Sequence, residues 1–467
     1  MRAGFGWSIR WFSAALVAVS LILPASGAGA ATFSRGELRS NTVGAVGASG
    51  CGTNLAAEPA IHVSRSNNVF LSSERGLGGG TDAWRGLGAL GGSTASACGL
   101  QYRGQPNAVG GAGASGGDTD LAIGSAQVAG AYPLYIASLN LGSVAVAHST
   151  DNGGTFINVP VVGGLPVDDR EWIAAYGTST SLLSFHDIAT NNIDILRSDN
   201  TGLTYAQVAR AIADSDYKSG DNELGNIAID HRNTAGTISS PAGQPGFWAY
   251  QSFVAPSSAP KPLRGVSYNE AFVSVSNNGG FTWKVKPIPC SVSGGDLDHE
   301  FPNVSVGPSG NLWMTWSDDR NVFAAVSADH GNTWSCSGPI STTTAQALMP
   351  WIVATSAGEG LVYYGSPTAP GRKSHQTFYV YFVQDLSNLS NAWGSPQQLF
   401  AVHSGSVCEE GFTCSDGRQL FDDFGVDTDQ QGWAHIAYSH DAPNLGGSGS
   451  YTGYAVQTGG TRVGYPN

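Results

Sequence analysis

Ser149-Thr150-Asp151-Asn152-Gly153-Gly154-Thr155-Phe156 reads S-x-D-x-G-x-T-aromatic, and the chain carries this pattern four times. Ser327 to Trp334 (SADHGNTW) repeats it. Ser198 to Tyr205 (SDNTGLTY) and Ser276 to Trp283 (SNNGGFTW) keep the spacing but place Asn200 and Asn278 at the acidic position. Those positions fall at 151, 200, 278 and 329, in steps of 49, 78 and 51 residues. A recurring spacing near 50 residues is the mark of a repeat architecture built from small stacked units.

Each copy has a mechanical reading. An apolar run enters it, Val144-Ala145-Val146-Ala147 in one case and Ala324-Ala325-Val326 in another. That is a strand running into a tight turn. Asp or Asn accepts hydrogen bonds from backbone N–H groups ahead of it, Gly takes the positive-φ position, and Thr and the ring start the return strand. The pattern resembles the Asp-box, or BNR repeat, of the sialidase-like β-propeller superfamily. This resemblance implies an all-β propeller of four-stranded antiparallel blades. It also implies that the box closes a blade's outer hairpin, away from the catalytic face, so that its Asp, Asn and Gly residues fold turns and do no chemistry.

Seven segments share a polar entry, a β-rich run, a turn and a second strand. They open at Glu58-Pro59, Asp118-Thr119-Asp120, Asp169-Arg170-Glu171-Trp172, Asn222-Glu223, His299-Glu300-Phe301-Pro302, Leu348-Met349-Pro350-Trp351 and Asp422-Asp423-Phe424. Seven blades are therefore expected. Six, the number typical of sialidases, is the alternative if one unit is an insertion. The last unit runs out after three strands, near Tyr451 to Val456, and Leu38 to Val43 is expected to supply its fourth. Closing the ring in this way removes exposed sheet edges. The Gly- and Ser-rich stretches 76–116 and 233–245 read as loops within blades.

The first residues read as an address and not as part of the fold. Arg2 and Arg10 precede or flank a 12-residue apolar core, Phe12 to Leu23, and Ala28-Gly29-Ala30 fits an A-x-A cleavage site. Residues 1–30 are expected to be a secretory signal peptide, too short to anchor in a bilayer, and 31–467 a single propeller domain. The mature chain is expected to be secreted, bacterial and extracellular, free of the membrane, and monomeric, since a closed ring needs no partner. A net charge of −13 argues against nucleic acid. Six cysteines in an exported chain point to disulfides. Of the fifteen connectivities, sequence proximity and blade layout favour Cys51–Cys98, Cys290–Cys336 and Cys408–Cys414. No C-x-x-C or Cys/His cluster suggests zinc, and no cofactor is expected beyond a structural cation in the central channel.

In a propeller the innermost strands begin near the axis on one face, so the seven entries should converge. They bring carboxylates from distant positions together, where mutual repulsion and burial raise pKa values and suit general acid–base work. Glu171, Glu300 and Asp423 are the candidate catalytic acids. Arg170, Glu58, Asp120, Glu223, His299 and Trp351 are the candidate substrate-binding groups, with Trp172, Phe301 and Phe424 as further aromatics for stacking on sugar rings. The competing reading is that these groups cap strand starts and fill the core. His186 and His299 read more readily as structural histidines than as general bases, and Asp318-Asp319-Arg320 as a turn with a surface ion pair.

The family resemblance implies a clamp of three arginines, a Tyr–Glu nucleophile pair and an Asp acid/base. The chain lacks the R-I-P-type motif near the mature N-terminus, because the matching entry reads Ala57-Glu58-Pro59-Ala60-Ile61. Arg170, Arg320 and Arg418 are left as clamp candidates, and Tyr176 and Tyr250 as phenols. Two readings follow. One is a sialidase-like glycoside hydrolase acting on a glycan or glycoconjugate. The other is a non-catalytic propeller that binds glycan, cell wall or protein.

Overall fold

The computed structural model describes the chain except residues 2–28, 41–45, 77, 112–116, 141–142, 162–167, 233–239, 242, 261–266, 298–300, 372–374, 388, 410–413, 415–417, 423, 442–449 and 466–467. The signal-peptide expectation therefore lies almost wholly outside the described residues. Seven four-stranded antiparallel sheets make up the fold, and in six of these blades the strands follow one another in chain order from the axis outward. The inner strands of blades 1 to 7 are Ala57–Val63, Thr119–Ile123, Asp168–Tyr176, Glu223–Ile229, Asn303–Val306, Gln346–Ala354 and Gly425–Thr428. This is the seven-bladed propeller that the repeat predicts.

The ring closes one segment earlier than expected. Thr32–Glu37 pairs antiparallel with Tyr451–Gly459 and completes blade 7 from the N-terminal side. Leu38 makes one last bond, its N–H to Thr452 O at 3.2 Å. There the Asn54 side chain inserts, donating to both Leu38 O and Thr452 O. With those carbonyls taken, the pairing with Tyr451–Gly459 ends at Leu38, and residues 41–43 of the expected strand Leu38 to Val43 lie outside the described residues. The third strand of blade 1, expected over Asp82 to Arg85, is present as Thr81–Gly86. A second difference lies further along the Gly/Ser-rich stretch 76–116, which also holds the fourth strand, Gln101–Gly104, where Tyr102 packs on Trp84.

The four repeated octapeptides all link the third and fourth strands of their blades. In the first, Asp151 Oδ1 accepts from the N–H groups of Gly154 (2.9 Å) and Thr155 (2.8 Å), and Ser149 Oγ accepts from Gly153 N–H (2.9 Å). Thr155 Oγ1 donates to Asp151 Oδ2 at 2.8 Å. The Asn copies reverse that last bond: Asn200 Nδ2 donates to Thr204 Oγ1 at 2.8 Å, and Asn278 Nδ2 to Thr282 Oγ1 at 2.9 Å. Either side chain folds the turn.

Inner strands are sheet edges that face the axis, so their outward N–H groups need partners. Polar side chains from the preceding blade supply them. Asp427 Oδ2 accepts from Val63 N–H (2.7 Å), Asp120 Oδ2 from Ile173 N–H (2.8 Å), Asn226 Oδ1 from Val304 N–H (2.7 Å) and Asn303 Oδ1 from Ile352 N–H (2.8 Å). Apolar residues between the blades form the main core. Three disulfides join Cys51–Cys98, Cys290–Cys336 and Cys408–Cys414, the pairing that sequence proximity favours. Among the described residues no helix is long and apolar enough to cross a membrane.

Candidate functional site

Three inner strands carry the same irregularity at their start. Glu58, Arg170 and Met349 sit at φ of 55°, 44° and 53°, and the register with the second strand shifts beside each. For side chains with a Cβ this left-handed region is costly and worth a reason. The sequences align as Glu58-Pro59-Ala60-Ile61, Arg170-Glu171-Trp172-Ile173 and Met349-Pro350-Trp351-Ile352. Glu171 thus occupies a place where the other two blades carry proline. The bulge redirects the side chains around it toward the axis.

Those side chains build a plug. Trp172 packs against Trp351 and Phe301, with ring centroids 5.6 and 5.7 Å apart, so blades 3, 5 and 6 meet there. The Arg170 guanidinium lies 3.8 Å above the Trp172 ring and 4.9 Å from Phe301. Its Nη1 pairs with Glu58 Oε1 at 3.2 Å, and both side chains are buried. Aromatic faces and a carboxylate together hold a cation that burial would otherwise disfavour.

An acidic group gathers on the entry side of this plug. Glu171 is fully buried and, among the described residues, neither carboxylate oxygen has a hydrogen-bond partner. Burial, reinforced by Asp118, pushes its pKa well above the usual carboxylate range, and Arg170 only partly opposes this. Glu74, at the end of blade 1's second strand, is pushed up to about 7 by burial and then by Asp118, although its Oε2 accepts from Gly76 N–H at 3.0 Å. Asp169 is half-buried. Burial and Asp118 raise it to about 6 against the Arg170 N–H that donates to its Oδ1 at 3.0 Å. Arg418 pairs with Asp422, and its charge also acts on Glu74 and Asp169. Three acids here hold protons to pH values at which ordinary carboxylates are ionised.

The other side of the plug is a cavity of about 170 Å³ lined by inner strands of all seven blades. Asp120 and Trp351 face this space along with His62, Asn226, Asn303 and Asp427. His62 Nδ1 lies 3.2 Å from Asp427 Oδ2. Burial opposes charge on that imidazole, yet the Asp427 hydrogen bond and the charges of Asp427 and Asp120 raise its pKa. At the outer end His231 Nε2 lies 2.9 Å from Ala175 O, and burial lowers its pKa to about 4.

The entry residues thus do not share a single pocket. Glu58, Arg170 and Glu171 come together, whereas Asp120 and Trp351 line the channel beyond the plug. Glu223 stands half-buried at the start of the blade 4 inner strand, opposite Val254. His299, Glu300 and Asp423 lie outside the described residues. Phe424 is core, stacked 4.0 Å from Tyr364. His186 is buried with Nε2 3.1 Å from Asn191 O, a structural role. Tyr176 stacks on Phe247, and Tyr250 Oη meets His330 Nδ1 at 2.6 Å beside the fourth octapeptide. Arg320 is exposed in the turn capped by Asp318. Among the described residues no group of three or more His, Cys, Asp or Glu is placed to hold a metal ion, so the channel cation gains no ligand set.

Sequence reasoning missed Glu74, His62 and Asp427. Glu74 had a findable signal, since it lies opposite Ala57 at the same hairpin end as the entry. His62 and Asp427 had none, being ordinary residues of inner strands.

No family model matches the chain, and no curated protein matches it. Solved structures do. A GH74 xyloglucanase from Xanthomonas campestris is 13% identical with a TM-score of 0.47; the alignment covers 88% of this chain and 55% of that one. The chain therefore spans about half the length of that enzyme. A PL25 ulvan lyase is 9% identical over 88% of this chain and 96% of its own, TM-score 0.49. The NanB sialidase from Streptococcus pneumoniae is 9% identical over 89% and 70%, TM-score 0.41. Each is a carbohydrate-active propeller enzyme. At this distance the likeness concerns the fold alone.

Proposed function

We propose that the entry face belongs to an exported glycoside hydrolase and that its carboxylates perform the proton transfers. One observation carries this reading: Asp169, open in part to solvent, keeps its proton to a pH of about 6 beside the buried acids Glu74 and Glu171. Hydrolysis of a glycosidic bond needs one protonated acid to reach the leaving oxygen and one ionised carboxylate as base or nucleophile. Asp169 fits the first role. Glu300 and Asp423 remain candidates for the second, with Glu171 and Glu74 tuning the field. Arg170 is engaged by Glu58 and two rings, and Arg418 by Asp422, which favours this two-carboxylate chemistry over an arginine clamp for sialic acid.

The buried state of Glu58, Arg170 and Glu171 favours a second reading, a non-catalytic propeller that binds glycan on the same face. A panel of fluorogenic glycosides, sialosides included, separates the two. Turnover should appear for at least one glycoside. Asp169→Asn should lower kcat by about 10²–10⁴-fold and remove the limb of the pH profile near 6. Full turnover in Asp169→Asn, Glu171→Gln, Glu300→Gln and Asp423→Asn alike would move the site elsewhere. Silence across the panel together with glycan binding would leave the binding module.

A further inference from the structure

The channel beyond the plug is a second site, separate from the acids. At one end Trp351 of the aromatic plug lines it. It reaches the surface at the other, where exposed Arg65, half-exposed Ser125 and His231 follow the ends of their inner strands. About 170 Å³ is well below the ~300–1,000 Å³ of pockets for drug-sized ligands, so the occupant is small. The same space would hold on the order of six waters at ~30 Å³ each, and that is the alternative to be tested.

The wall chemistry is mixed in a specific way. Ile173, Ile227, Val304 and Ile352 give apolar flanks, and Trp351 gives an aromatic face. Asn303 is 1% exposed, and its Oδ1 is fixed by Ile352 N–H at 2.8 Å. That bond fixes the amide orientation and leaves Nδ2 as the donor end, without a hydrogen-bond partner among the described residues. A buried donor without an acceptor costs ~1–3 kcal/mol and calls for a partner, water included. His62 has Nδ1 on Asp427, leaving Nε2 as a second group for the cavity; its side chain is 40% exposed. Asp120, with Oδ2 on Ile173 N–H, retains acceptor capacity. The channel offers donors, an acceptor and a ring face, while Asp427 and His62 offset each other's charge.

We infer that this channel binds one small neutral polyhydroxylated molecule, of single-sugar size, with its C–H face on Trp351 and its hydroxyls on Asn303, His62 and Asp120. Hydroxyls match the walls because each both donates and accepts. A cation would meet Arg65 on entry, and an anion would meet Asp120 inside. The inference does not depend on catalysis at the opposite face.

The test is calorimetric titration of the whole protein with D-glucose, D-galactose, L-arabinose and myo-inositol, with glucuronate and glucosamine as charged controls. At least one neutral polyol should saturate at one per chain and raise Tm. Asn303→Asp keeps the acceptor for Ile352 N–H but removes the donor. Ala228→Leu, at a lining position, adds bulk beside the channel and removes no side-chain hydrogen-bonding group. Each should weaken binding at least tenfold, while Asp329→Asn, in the fourth octapeptide turn, leaves it unchanged. Ala228→Leu decides alone if Asn303→Asp does not fold. The inference fails if no neutral polyol saturates, which leaves water as the occupant, if a charged control binds more tightly, or if either folded variant binds as the parent does.

Discussion

Glu74 is the residue whose behaviour can be read most directly. Its carboxyl is buried, and burial followed by the charge of Asp118 raises its pKa from the ordinary 4.5 to about 7. Folding therefore favours the protonated form. The stability linked to this group is complete below pH 4.5 and is lost as pH rises through about 7. A shift of that size corresponds to roughly 3 kcal/mol at most. Glu74→Gln keeps an acceptor for Gly76 N–H and carries no charge. Urea unfolding at pH 4.5 and pH 7.5 should show the parent losing up to ~3 kcal/mol more than the variant over that interval. Equal losses would mean that Glu74 is ionised at no cost. This residue also shows where sequence reading stops. Glu58, Arg170 and Glu171 were legible because entry residues converge in any propeller. Which of them would be sealed under Trp172 and Phe301 was not, because Trp172, Phe301 and Trp351 are far apart in sequence and nothing local says that they meet.

At the level of elements, the octapeptide turn was legible to the hydrogen bond. Its chemistry needs only an acceptor at position three, a positive-φ Gly and a Thr, and the two Asn copies show that the acceptor need not be charged. Asp329→Asn should therefore cost less than ~0.5 kcal/mol, because Asn can donate to Thr333 Oγ1 as Asn278 does to Thr282. Asp329→Ala removes the acceptor for Thr333 N–H (2.8 Å), Asn332 N–H (3.0 Å) and Thr333 Oγ1 (2.8 Å), and should cost ~2 kcal/mol. Thermal unfolding of both variants checks the pair; similar losses would show that charge, not geometry, folds the turn. Acid supplies a second check. Burial works against the Asp329 carboxylate, but the bonds from Thr333, Ser327 and Asn332 outweigh it and bring the pKa to about 2. The contribution of Asp329 is present above the usual carboxylate pKa and lost as pH falls through about 2, so Asp329→Ala should narrow its deficit in that window. The inner-strand bulges were not legible, since Glu58, Arg170 and Met349 share no residue type.

The whole molecule is held shut at two places that are remote in sequence. Seven blades were legible because each repeats one entry and one turn; the closing strand was placed slightly late, because Asn54 caps the sheet where a longer strand would have run. Thr32–Glu37 closes blade 7, and Cys51, just past that strand, is bound to Cys98 in blade 1. This disulfide ties the closing segment to the first blade across 47 residues of sequence, whereas Cys408–Cys414 spans 6 within one loop. Cross-link entropy grows with the logarithm of loop length, giving about 4 kcal/mol for the first and about 2 kcal/mol for the second. The larger loop also guards the closure itself, since a ring that loses its last strand exposes an edge on blade 7. Cys51→Ala/Cys98→Ala should therefore lower the urea midpoint about twice as far as Cys408→Ala/Cys414→Ala, and it should do so in one cooperative transition. Hydrogen exchange should show the loss first in Tyr451–Gly459, the strand that Thr32–Glu37 covers. A larger loss from the short-loop pair, or exchange that begins elsewhere, would mean that the ring is held by its blade interfaces and not by its clasp.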